Sequence, residues 1–368
     1  MSLYDSYNTL LLKSSMTFED VFLHDKDIRK FIKNKYHARE KSKAFEVATK
    51  EFDLFKRGRH EVSAYFLGCV LSNIVWYSLE EFIKSFTKVV DEGYKFDFEY
   101  IWSLIAIYHD IVIDKEEKLR DDYETIQLSN TEDVVECIKK HYLSIDKDIY
   151  KDNSTVIPLY HTYQDDLVVN YMKMRIESDR KFDHGIVAGF LLYNALVNNY
   201  YVQKANAKYY DETYFETESR VNNRKLYWHK LDLWIYGFIA DAIIAHNIWF
   251  CDLHKEEEKT KYKKFKLDYL IVNNGMDNRL SVKNNPLAFY LGLIDTIEPI
   301  KSFSNKDNID TVEICKRIDL CSNGKNISIK RTGELNNFER YRSKIKEMER
   351  WLKVEVKNDG DDICIKIL

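Results

Sequence analysis

Proline and glycine are scarce, at 3 and 11 residues among 368. That scarcity disfavours turn-dense all-β architectures, collagen-like repeats and linker-rich chains. The six cysteines, at 69, 137, 251, 315, 321 and 364, include no CxxC pair, which argues against a zinc ribbon or a dense disulfide framework. Thiols scattered in this way fit a reducing compartment, so a cytoplasmic location is expected. Neither sign of charge dominates: 56 Lys and Arg against 60 Asp and Glu give a net charge of −4. Such a balance speaks against a general basic footprint for duplex nucleic acid or an anionic membrane, while leaving room for a local basic patch over a phosphate. The first residues, MSLYDSYNTLLLKSSMTFED, lack the basic start and sustained apolar stretch of a signal peptide. No long uninterrupted apolar run exists either. The nearest, Leu233–Phe250, is broken by Asp241, His246 and Asn247 and reads as a buried core helix rather than a membrane span.

What the chain does have is 45% hydrophobic and 32% charged residues, a globular composition. Helical periodicity dominates to about residue 300. Val62, Tyr65, Phe66, Cys69, Val70, Ile74 and Tyr77 recur at helical spacing across Val62–Phe86. Ile101–Tyr108 is an apolar run ending at His109-Asp110, and Gly185–Tyr201 is another, opening after the helix-start residues Ser178, Asp179 and Asp183. Shorter helical patches fall at Thr131–His141 and Leu167–Glu177. A further buried helix is expected at 228–250 and one more at Pro286–Ile297, while the charged stretch 254–266 reads as a solvated helix face. After Pro299 the pattern changes. Thr311–Ile318 and Asn326–Lys330 read as strands around a turn at Asn323-Gly324, Leu335–Trp351 as a helix, and Leu352–Lys357 with Asp362–Leu368 as a hairpin. The expected organisation is an N-terminal helical extension over 1–54, a helical core over 55–304 with polar insertions near 115–183 and 204–224, and a small α+β module over 305–368.

The residues that carry chemistry stand where apolar helical segments meet or are interrupted by polar sequence. His60 precedes a helix in RGRHEVSAYFLG, His109-Asp110 closes IAIYHDIVID, His184 opens FDHGIVAGFLL and His246 interrupts AIIAHNIW. Asp295 is the lone charge in PLAFYLGLIDTI until Glu298. A carboxylate inside an apolar run needs a partner, because an unpaired buried charge is costly. Imidazoles and carboxylates converging from separate helices are a usual way to hold divalent metal in a bundle. Asp241, five residues before His246, suits a supporting role toward an Arg or a His ring, and His161 with Asp165 or Asp166 is more simply a solvated segment.

The order His60, His109-Asp110, His184, His246, Asp295 resembles the HD superfamily of metal-dependent phosphohydrolases over roughly residues 55–300. That resemblance implies an all-helical metal-binding core, so that the chain is mainly α with a small C-terminal α+β module. It implies a first divalent ion on His60, His109, Asp110 and Asp295, and a second on Asp110, His184 and His246. Water activated between two cations would then attack phosphorus in a nucleotide or a nucleotide second messenger. Mn, Fe or Mg would all suit mixed His and Asp ligation. The chain departs from some members of that family: Val112 stands where many have Gly, His246 is followed by Asn247 rather than a second His, and no Gly-Tyr-Pro signature occurs.

Cations beside the site are expected to meet substrate phosphate. Lys115, five residues after Asp110, is placed with Asp110 in the catalytic machinery, and Arg180 and Lys181, just before His184, are candidate phosphate contacts. The 26 tyrosines offer aromatic walls, although most such rings belong in a core. The expected partner is a nucleotide-like phosphate substrate, with no membrane and with nucleic acid less favoured. The C-terminal module is expected to contribute no metal ligand and to serve dimerisation, substrate gating or binding of a protein partner, with none of the three preferred. The competing readings are an HD-type nuclease of a defence system and a non-catalytic ligand sensor.

Overall fold

The computed structural model describes residues 1–12, 16–22, 58–87, 97–113, 116, 126–142, 162–207, 214–218, 225–251, 255–272, 277–303 and 310–368. Within them the chain is mainly helical, with two small antiparallel sheets. Most of the 1–54 extension lies outside the described residues. Its described part, α1 (Leu3–Leu11) and α2 (Phe18–Phe22), packs through Tyr7, Phe18 and Phe22 against Phe66.

The expected long helix over 62–86 is two helices. α3 (Gly58–Val70) and α4 (Trp76–Thr87) are separated by a tight turn at Ser72–Ile74. α5 (Phe98–Tyr108) starts where Asp97 accepts the Tyr100 N–H, and nearly all of its residues are buried. A helix apolar on every side belongs inside a bundle, and this one delivers His109-Asp110 to the middle of the body. α6 (Thr131–Tyr142) and α7 (Asp165–Asp179) follow the expected patches with longer ends.

α8 (His184–Ala205) opens with Asp183 accepting the Ile186 N–H. The polar segment after it, read from sequence as a connection over 204–224, contributes a hairpin. β1 (Tyr214–Glu218) pairs antiparallel with β2 (Lys225–His229), with Phe215 stacked on Trp228. Strand pairing of 225–229 shortens the next helix to α9 (Leu231–His246). α8 and α9 pack in intimate contact because two glycines face the neighbouring backbone. A Cβ on Gly185 would meet Ile243 O and His246 Cε1 at 2.9 Å, and one on Gly189 would meet Ile244 Cγ1 at 2.5 Å. The charged stretch forms α10 (Glu256–Lys264), largely solvated but burying Tyr262. α11 (Pro286–Ile297) has the expected bounds and Pro286 in its first turn, where its missing N–H is no loss. Glu298 ends it, and α12 (Pro299–Phe303) turns away.

Of the stretch Thr311–Ile318, read from sequence as a strand, Thr311–Lys316 is α13. Its alternation of Val312 and Ile314 suggested a pleat, but Asp310 caps the segment by accepting the Val312 N–H. Beyond it stand β3 (Ile318–Asn323), β4 (Asn326–Arg331), α14 (Phe338–Glu347), β5 (Val354–Asp359) and β6 (Asp362–Ile367). The sheet order is β3-β4-β6-β5, antiparallel throughout. Ile327, Ile329, Ile363, Ile365, Val354 and Val356 alternate onto one buried face, the period of two a half-buried sheet requires. Its hairpin turns use Gly324 and Gly360 at φ near 58° and 55°, which a side chain would resist.

This sheet and helix pack onto the helical body. Leu280 N–H donates to Trp351 O at 2.7 Å and Lys353 N–H to Leu280 O at 2.8 Å. The Tyr341 hydroxyl donates to Ile297 O at 2.5 Å. All six cysteines are free thiols. No helix among the described residues is long and apolar enough to cross a membrane.

Candidate metal centre

Helix ends converge on one buried spot. His60 lies in the first turn of α3, His109 caps α5 with Asp110 beyond it, His184 opens α8, His246 closes α9 and Asp295 lies in the last turn of α11. Helix termini suit this task because their side chains are not shielded by a continuing turn.

The six residues form two groups, His60 with His109 and Asp295, and Asp110 with His184 and His246. The donor atoms within each group lie within 4.8 Å of one another. That approaches the spacing set by one ion with ligands at about 2.0–2.2 Å. Asp110 joins the groups. Its Oδ1 is 3.2 Å from His184 Nε2, 3.6 Å from His246 Nε2 and 3.8 Å from His109 Nε2, while its Oδ2 lies 4.0 Å from His60 Nε2. Asp295 Oδ1 lies 2.9 Å from His60 Nε2 and 3.5 Å from His109 Nε2.

Each imidazole presents Nε2 inward because its Nδ1 is engaged on the outer side. His109 Nδ1 donates to Ala106 O at 2.9 Å and His246 Nδ1 to Ile243 O at 2.6 Å. His60 Nδ1 meets Glu298 Oε2 at 2.7 Å, and His184 Nδ1 lies 3.5 Å from Glu116 Oε1. An acceptor on one ring nitrogen fixes the tautomer and leaves the other nitrogen's lone pair for a ligand. The Nε2 atoms of His60 and His109 are buried and make no aligned hydrogen bond among the described residues. Buried ring nitrogens that face carboxylate oxygens without aligned hydrogen bonds fit a cation between them. Two groups of His and Asp could therefore each hold a divalent metal ion.

Electrostatics of the protein alone point the same way. Burial opposes charge on Asp110 and Asp295, yet Lys301 and the facing histidines hold both carboxyls well below the usual carboxylate range. Burial and Lys301 press His60 toward its neutral form, but Asp295 and Glu298 hold it up at about 9. Burial also opposes charge on His184, and Asp110 with Glu116 hold that ring at about 9. At His109 burial wins, and its pKa falls. Two protons thus sit where two cations would be.

The supporting residues were not singled out from sequence. Glu298 is fully buried, receives the Ser63 hydroxyl at 2.6 Å and caps the Ile300 and Lys301 N–H groups. Lys301 Nζ pairs with Asp295 Oδ1 at 2.7 Å and lies 3.8 Å from Asp110 Oδ2. Arg175 bonds Glu116 and Asp179, each at 2.7 Å. Burial would raise the Glu116 carboxyl, but His184, Arg175 and Lys181 bring it down to about 2. Asn247 Nδ2 donates to Asp183 Oδ2 at 2.6 Å and packs 3.3 Å from His184 Nδ1, so this residue braces the second group from outside. Glu298 had one visible signal, being the next charge after Asp295 in an apolar run.

Other candidates fall elsewhere. Lys115 lies outside the described residues. Arg180 is an exposed, left-handed C-cap of α7, and Lys181 pairs with Glu116 at 3.5 Å. Neither lines the cavity beside the ligand groups, and that position is held by Lys301 and Lys344. Asp241, expected to support an Arg or a His, accepts the Thr162 N–H and hydroxyl at 3.0 and 2.6 Å. His161 lies outside the described residues.

A cavity of about 330 Å³ opens over Asp110, His184, His246 and Asp295. Comparison of the chain with protein-family models, curated proteins and solved structures finds no match.

Proposed function

We propose that this chain is a metal-dependent phosphohydrolase of the HD type, cleaving a phosphoester or phosphoanhydride of a nucleotide or nucleotide-derived messenger. The observation that carries the proposal is Asp110, which lines the cavity between the two ligand groups, its Oδ1 within 3.8 Å of the Nε2 atoms of His184, His246 and His109 and its Oδ2 4.0 Å from that of His60. Divalent ions held there would supply Lewis-acid charge and a water of lowered pKa. The chain's own part is to hold the six ligands on rigid helix ends, fix four imidazole tautomers and keep the carboxylates ionised. Lys301 adds a cation at the cavity floor, where phosphate charge develops. Each supporting bond removes freedom from a ligand before substrate arrives.

The test is hydrolysis of a panel of nucleoside mono-, di- and triphosphates, cyclic nucleotides and single-stranded oligonucleotides by the full chain with Mn²⁺, Fe²⁺ or Mg²⁺. The reading expects phosphate or nucleotide release that EDTA abolishes and that Asp110→Asn removes. Turnover confined to oligonucleotides would make it a nuclease, and metal uptake without turnover of any substrate would make it a sensor.

A further inference from the structure

Part of the cavity's wall comes from the C-terminal segment. Lys344, Glu347 and Trp351 line it, together with Trp249, Phe250 and Tyr163. Lys344, Glu347 and Trp351 are spaced i, i+3, i+7, so they share one face of α14 and the turn that follows it. The adjacent stripe, Tyr341, Ile345 and Met348, is buried and holds that face in place. Tyr341 anchors to Ile297 O, two residues beyond Asp295, and Trp351 O is locked by Leu280. The wall is thus fastened to the helix that supplies a metal ligand.

Lys344 is one of two lysines of the described residues that line the cavity. Its ammonium has no carboxylate partner within 4.0 Å among them, and its nearest polar contact is the Asp295 carbonyl at 3.5 Å. Lys301 is its cationic neighbour at the same cavity. Lys301 is held by Asp295 and Asp110, so among the described residues Lys344 is the cavity's ammonium placed to meet the oxygens of an anion. In the same cavity, Trp249 is 52% exposed, and Trp351 meets it at 5.7 Å in an edge-to-face pair. An ammonium and a partly exposed aromatic pair lining one cavity are the two halves that a nucleoside phosphate site needs. The volume also lies in the range of small-ligand pockets.

We infer that the C-terminal segment completes the substrate pocket. Lys344 binds a phosphate oxygen of a nucleoside phosphate, and Trp351 with Trp249 stacks its base. This rests on the proposed phosphohydrolase reading for the identity of the cavity. It gives Lys344 and Trp351 direct contact with substrate, beyond a role in gating, oligomerisation or partner binding.

Tryptophan fluorescence titration of the full chain in the presence of Mn²⁺ tests it. The probes are non-hydrolysable α,β-methylene nucleoside diphosphates carrying each of the four bases, with methylenediphosphonate as the base-less control. The wild-type chain should bind at least one nucleotide. Lys344→Gln should weaken nucleotide and control about tenfold or more, Lys344→Arg should recover most of that loss, and both should keep wild-type metal content and melting temperature. Trp351→Leu should weaken the nucleotide roughly tenfold and leave the control unchanged. Absence of nucleotide binding at millimolar concentration, wild-type affinity in Lys344→Gln and Trp351→Leu, or equal loss of nucleotide and control in Trp351→Leu would overturn the inference. Turnover of bis(4-nitrophenyl) phosphate is followed separately. Turnover of it together with wild-type nucleotide affinity in Lys344→Gln and Trp351→Leu removes this inference and leaves the hydrolase reading. Nucleotide binding without turnover does the reverse.

Discussion

Glu298 Oε2 lies 2.7 Å from His60 Nδ1, with both side chains sealed from solvent. The carboxylate orients the ring, and three further donors, Ser63 Oγ and the Ile300 and Lys301 N–H groups, orient the carboxylate. Glu298→Ala should therefore weaken metal at the His60 group by about 10–100-fold. Glu298→Gln should lose less, since the amide oxygen can still accept from the ring. Isothermal titration with Mn²⁺ measures both, and unchanged affinity in Glu298→Ala would show that the contact does not support the site.

Asn247 sets a second expectation. Its amide satisfies Asp183, a buried carboxyl whose pKa is raised by burial against the pull of His184 and Arg175. Asn247→Ala should cost about 1–3 kcal/mol of stability by leaving that group short of a donor. It should also weaken the His184–His246 group more than the His60–His109 group. Thermal melting with and without metal separates the two effects.

The pH dependence follows from the two raised histidines. Without metal, His60 and His184 titrate at about 9 against 6.5 unperturbed. Their charged form is the one the fold favours. Its contribution to stability is complete below pH 6.5 and is lost as pH rises through 9. Metal must displace those protons, so apparent affinity in each group should rise up to about tenfold per pH unit until pH 9 and then level. The metal-free protein should thus melt at lower temperature at pH 9.5 than at pH 6, while excess Mn²⁺ should reverse the trend. Titrations in buffers of different ionisation heat should show close to one proton released per ion at pH 7.

Gly185 offers a steric test. A methyl group there would meet Ile243 O and His246 Cε1 at 2.9 Å, with backbone on one side. Gly185→Ala should push α8 from α9, cost about 1–3 kcal/mol and displace His246. Denaturant unfolding reads the cost, and metal stoichiometry reads the displacement.

Much of the site was legible because its residues break a local rule. His109-Asp110, His246 and Asp295 are polar groups in apolar helical runs, and burial of such groups demands partners. Their joining into two groups follows from helix ends meeting. The supporting residues were hidden for the opposite reason. Glu116, Lys301 and Lys344 sit in ordinary polar sequence, and only tertiary packing brings them to the cavity. The hairpin of β1 and β2 was missed because its buried positions, chiefly Phe215 and Trp228, are too few to show a period of two. Thr311–Lys316 was misread because Val312 and Ile314 alternate over a stretch too short to separate strand from helix, and the Asp310 cap decides it. Asn247 looked like a lost ligand in the resemblance, whereas in the fold it is the brace of one.

Anomalous diffraction from crystals of the full chain grown with Mn²⁺ tests the central claim most directly. The account predicts two peaks. One is bounded by His60, His109 and Asp295, the other by His184 and His246, and Asp110 lies between them. No peak at these residues, or a single one touching neither histidine pair, would contradict it.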